Sequence, residues 1–127
     1  MSDQIIGDIL ADIGIMIAQD VRQNADGAFL YAEAEENCVG ASIFKDVGDR
    51  VFYREASSEL MDRIMDLWNA APADKKWNAL YYTIAGNQFD ARFQYDEGWD
   101  PKEHEVDRRP RVLKAKFGGK PIDFSDP

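Results

Sequence analysis

Residues 77–100 read "WNALYYTIAGNQFDARFQYDEGWD", and their reading decides the fold. Gly86-Asn87 is a two-residue hairpin signal between two runs of strand-forming residues. Pairing Ala85 with Gln88 places Ile84 opposite Phe89, Tyr82 opposite Ala91 and Leu80 opposite Phe93, all on one apolar face. Thr83 then meets Asp90, and Tyr81 meets Arg92, on the polar face. A one-residue slip would carry Phe89 and Phe93 to the polar side, so the register is strongly specified. Tyr81 and Arg92 suit a cation–π pair or the start of a binding face. The stretch then ends in carboxylates, at Asp96, Glu97 and Asp100.

Working outward, Ile5, Ile6, Ile9, Leu10, Ile13, Met16, Ile17 and Val21 recur at steps of three and four, with Asp8, Asp12 and Asp20 mostly between them. This predicts an amphipathic helix over about residues 3–23, stopped by "QNADG" at 23–27. "AFLYAEAEE" alternates, with Phe29, Tyr31, Glu33 and Glu35 on one side and Ala28, Leu30, Ala32 and Ala34 on the other. Strands over 39–45 and 50–54 follow, with turns at 36–38 and 46–49, which implies an antiparallel meander. Leu60, Met61, Ile64, Met65, Leu67 and Trp68 form a helical stripe, with Ser57 or Ser58 as N-cap and Pro72 marking the end. At that spacing Met61, Met65 and Trp68 read as core, not as a cofactor pocket.

Beyond Tyr95 no periodicity survives through 96–110, where Gly98, Pro101 and Pro110 act as breakers; a short helix is expected at 111–117, and Ile122 and Phe124 are expected to tuck in. The expected architecture is therefore α+β. A mostly antiparallel sheet of about five strands carries helices on one face, in the order α-β-β-β-α-β-β-α, as a single domain over 1–127. Ile9, Ile13, Leu60, Ile64, Leu80, Ile84, Phe89 and Phe93 are expected in its core.

The formal net charge of −9 argues against nucleic-acid binding, because phosphate backbones would be repelled. No apolar run approaches the length of a membrane span, and the start of the chain lacks the basic residues of a signal peptide. The single cysteine, Cys38, fits a reducing cytoplasm. The charge is uneven: residues 1–107 hold 22 acidic against 9 basic residues, and residues 108–127 hold 2 against 6. A basic C-terminal segment lying back on an acidic body is the expected consequence.

Chemistry-bearing motifs are sparse. His104, the one histidine, stands between Glu103 and Glu105 and reads as a solvated residue. Glu35 and Glu36 beside Cys38 argue against its use as a thiolate nucleophile. "DEGWDPKEHEVD" has glycine third and proline sixth, against the pattern of a calcium loop. No cofactor, metal or catalytic set is expected.

Four motifs carry a resemblance: Tyr31-Ala32-Glu33 in a strand; Trp77 before the hairpin; Gly86-Asn87-Gln88-Phe89 through Phe93 and Tyr95-Asp96; and Lys116-Phe117-Gly118-Gly119-Lys120-Pro121. In this order they resemble the YezG-like family over nearly the whole chain. The sequence departs from the family in lacking a tryptophan before the closing motif, where Val112-Leu113 stand, and in the acidity of 96–110. The resemblance implies an immunity protein (antitoxin) that binds and neutralises a bacterial toxin domain, often a nuclease, and is not an enzyme. The partner would be a basic protein, met by Asp96, Glu97, Trp99, Asp100, Glu103 and Glu105, with Tyr81 and Arg92 on the adjoining sheet face. The competing expectation is a small-molecule-binding or enzymatic α+β domain with a pocket lined by Tyr81, Arg92 and Tyr31. A homodimer is also open.

Overall fold

A computed structural model describes residues 2–21 and 25–124, with side chains from residue 4 onward. The elements are α1 (Ser2–Val21), β1 (Ala28–Glu35), β2 (Cys38–Asp46), β3 (Val51–Glu55), α2 (Ser58–Ala70), β4 (Ala79–Ala85), β5 (Gln88–Gln94), α3 (Glu105–Phe117) and β6 (Ile122–Asp123). The expected stop of the first helix includes residues 22–24, which lie outside the described residues. Among those described, six strands form one sheet in the order β5-β4-β1-β2-β3-β6. Every pairing is antiparallel except the short β3–β6 pair. The hairpin has the register the sequence dictates, from Ala85 opposite Gln88 to Ala79 opposite Gln94.

The alternation of β1 gives the sheet two apolar faces. On one, Leu30, Ala32, Ile43, Leu80 and Tyr82 meet Ile9, Ile13 and Ile17 of α1 and Leu60, Ile64 and Leu67 of α2. Burying large aliphatic side chains contributes about 1.5–3 kcal/mol each, so this layer dominates stability. The two helices are also tied at their outer edges. Arg63 meets Asp12 at 2.7 Å, and Asp20 accepts the backbone N–H of Ser57, the α2 N-cap, at 2.9 Å. Tyr82 fixes α1 over the sheet: its hydroxyl donates to the Leu10 carbonyl at 2.6 Å. A Cβ at Gly14 would lie 2.7 Å from that oxygen, so this helical glycine permits the approach.

The other face differs from the expectation of helices on one side only. Phe29, Tyr31, Phe44 and Val51 are large and apolar there, and α3 supplies Leu113, Val112 and Phe117 to cover them. The helix also begins at Glu105, not at 111, and contains Pro110. The missing N–H of Pro110 would have met the carbonyl of Val106, four residues back, and Val106 is exposed, so water can take that carbonyl. Acidic residues in the first turn (Glu105, Asp107) and lysines in the last (Lys114, Lys116) complement the helix dipole.

Two core expectations fail. Phe89 is 44% exposed because β5 is the last strand of the sheet, although its ring still stacks on Tyr82 at 5.0 Å. Phe93 is half-buried beside Trp77. Phe124 also stays exposed, its ring 5.2 Å from that of Tyr53, whereas Ile122 is drawn in by β6. The basic C-terminal segment does lie back on the acidic body, through Arg108–Glu33 at 2.6 Å and Lys120–Asp46 at 3.0 Å. No helix among the described residues is long and apolar enough to cross a membrane.

Candidate functional site

The β1–β2 turn, the residue before β4 and the chain leaving β5 meet at one end of the sheet, where residues 95–104 close over the edge. Local polar bonds shape this loop. Gln94 donates to the carbonyls of Tyr95 and Glu97, at 3.1 and 2.6 Å, and Asn78 donates to the Asp96 carboxylate at 2.9 Å. Gly98 takes φ 75°, and the Asp100 carboxylate accepts the Lys102 backbone N–H at 2.9 Å. Short side-chain-to-backbone bonds of this kind hold a loop without a hydrophobic core of its own.

Arg108, from the first turns of α3, holds the loop from beneath. It is 6% exposed. Its guanidinium meets Glu33 Oε1 at 2.6 Å, donates to the carbonyls of Asp100 and Glu103 at 2.8 Å each, and lies 3.6 Å from the centre of the Trp99 ring. Burial disfavours its charge, but the hydrogen bond and charge of Glu33 prevail and hold its pKa above the ordinary value. Tyr31 donates its hydroxyl to the same glutamate. Burial, then the bond to Glu33, keep that phenol protonated well above its ordinary range. A planar, always-charged group with five donors is suited to this role, which a lysine could not fill.

This geometry sorts the expected partner-binding residues. Trp99 is half-buried against Arg108 and so serves as a strut of the loop. Glu103 is half-buried and paired: Arg111 holds it through two bonds of 2.6 and 2.7 Å, which is the main reason its pKa lies below the usual carboxylate range. Glu105 pairs with Arg109 at 3.6 Å. Asp96, Glu97 and Asp100 are exposed and join no ion pair among the described residues, and neither do Glu35 and Glu36 of the adjacent turn. Glu35, Asp96, Trp99, Glu105 and Arg108 line one open groove of about 720 Å³. His104 stands exposed at the α3 N-cap without a side-chain capping bond, and Cys38 is exposed on β2. No group of three or more potential metal ligands occurs among the described residues.

Tyr81 and Arg92 belong elsewhere. They face each other across β4–β5, with the guanidinium 5.5 Å from the ring centre, in a second groove of about 710 Å³ between α3 and the hairpin. Phe29, Thr83, Arg111 and Lys116 also line it, and Tyr31 does not, being 1% exposed beneath the sheet's cover. The two grooves share no lining residue. Arg108 was not singled out by the sequence. The signal for it is the charge switch at "EHEVDRRPR", where the first arginine after the acidic run turns inward.

Compared with known proteins, the chain matches no family model and no curated protein.

Proposed function

We propose that this chain is an immunity protein: it binds a basic bacterial toxin domain through its acidic end and occludes the toxin's working surface. The observation that carries the reading is the set Glu35, Glu36, Asp96, Glu97 and Asp100. None of these five joins an ion pair among the described residues; Glu35 and Asp96 line the groove, Glu36 follows Glu35 in the β1–β2 turn, and Asp96, Glu97 and Asp100 stand on the loop that Arg108 holds from below. Uncompensated like charges held close together repel one another, and a cationic partner relieves that repulsion. A fixed surface also loses little conformational entropy on binding. The YezG-like motifs favour the same reading, and it places the protein in the cytoplasm with its partner.

In this mechanism the acids steer encounter and the groove seats a basic loop or helix of the toxin, which blocks access of its substrate. No covalent step is required. The experiment is capture of the partner from the native cell, followed by co-expression of the captured toxin domain with the chain. The expected result is a basic toxin domain whose lethality the chain suppresses and whose isolated activity it inhibits stoichiometrically. A partner without toxicity, or a toxin left active in the complex, overturns the reading.

A further inference from the structure

The groove between α3 and the hairpin carries charge of the opposite kind to the acidic end. We propose that it is a binding site for a small organic anion, one with a flat apolar body bearing a phosphate or carboxylate group. Its inner surface is aromatic and aliphatic, from Phe29, Tyr81 and Val112, and suits a planar ring. Arg92 and Lys116 line it and form no ion pair among the described residues; each rests on an aromatic ring, that of Tyr81 and that of Phe29, both at 5.5 Å. Arg111 adds a third cation, held by Glu103. One carboxylate, Asp90, opposes them from the position facing Thr83.

The volume of about 710 Å³ lies in the range of small-molecule sites. Burial raises the Tyr81 pKa, so its phenol stays protonated and can donate to an anion. The chain's net charge of −9 does not prevent this, because exposed charges are screened beyond about 8 Å at physiological salt, whereas the groove cations act at contact. The site shares no lining residue with the acidic end, so the two proposals stand or fall separately.

The test is an amide chemical-shift titration of the full chain with phenyl phosphate and with benzoate, beside phenol and inorganic phosphate. Saturable shifts are expected along β4, β5 and α3 for at least one of the two aromatic anions. Phenol and inorganic phosphate, each lacking one half of the ligand, should bind about tenfold or more weakly. Arg92→Gln with Lys116→Gln should abolish saturation with a dispersed spectrum retained, since both side chains are exposed. Arg92→Lys should keep most of the binding, and Asp90→Asn should strengthen it. The proposal is overturned if neither anion saturates at millimolar concentration, if the shifts map outside the groove, or if the double variant binds like the parent.

Discussion

Arg108 uses three sides of its guanidinium at once, on Glu33, on two loop carbonyls and on the Trp99 ring. Its removal leaves a mostly buried glutamate without its cation and takes one donor from each of two loop carbonyls. Breaking a buried pair from one side costs about 3–5 kcal/mol. Arg108→Met should therefore destabilise the protein by about 3 kcal/mol in urea unfolding. Arg108→Lys keeps the charge but loses the fork, so amide exchange across 96–104 should accelerate even where the fold survives. A second residue-scale prediction concerns Gly14. Alanine is favoured over glycine in a helix by about 1 kcal/mol, but its Cβ would press at 2.7 Å on the hydroxyl of the buried Tyr82. Gly14→Ala should destabilise by about 1 kcal/mol. In a Tyr82→Phe background the nearest ring atom is an ordinary 3.7 Å away, so the same change should become neutral or stabilising. The double-mutant cycle measures that coupling, and additive effects would refute the packing account. Neither residue announces itself in the sequence, because the roles depend on partners 68 positions away for Gly14 and 75 for Arg108.

Among the elements, α2 shows how a helix end can be finished by a residue beyond it. Lys76 donates to the carbonyls of Trp68, Asn69 and Ala71, at 2.8, 3.2 and 2.8 Å, and its ammonium lies 4.5 Å from the Trp68 ring centre. A cation on the last carbonyls satisfies orphan acceptors and opposes the helix dipole. Lys76→Met should lower stability by about 1 kcal/mol and speed amide exchange at the end of α2. The hairpin was legible because its period, its turn and its paired aromatics all agree on one register. The helix α3 was half legible. Its basic second half reads as helix, whereas Pro110 and the mixed charges of 105–109 conceal the first half, whose order comes from the Glu33 contact across the sheet. The exposure of Phe89 was hidden for a similar reason: pairing fixes which face a strand residue takes, not whether a helix extends far enough to cover it.

At the scale of the whole molecule the charge divides into paired and unpaired sets. Depressed carboxylates make the paired set sensitive to acid. The Gly48 N–H and Lys120 lower the Asp46 pKa, and Arg111 lowers that of Glu103. Their contribution is complete above their ordinary values of 3.8 and 4.5, and is lost as pH falls through the lower folded values. Thermal melts should thus show an advantage of the parent over Lys120→Gln with Arg111→Gln at neutral pH, shrinking steadily below pH 4.5. A constant difference across that range would contradict the assignment. The unpaired set was legible as an acidic run but not as a surface, because the sequence could not show that Glu103 and Trp99 turn inward while Glu35 and Glu36 join from another turn. The central claim is that this unpaired set steers a basic toxin domain. The most direct measurement is the association rate with the captured toxin domain at several salt concentrations, for the parent and for a variant carrying Glu35→Gln, Glu36→Gln, Asp96→Asn, Glu97→Gln and Asp100→Asn. The account predicts that the variant associates about tenfold or more slowly at low salt, with a flattened salt dependence and a nearly unchanged dissociation rate. An association rate and salt slope equal to the parent's would contradict it.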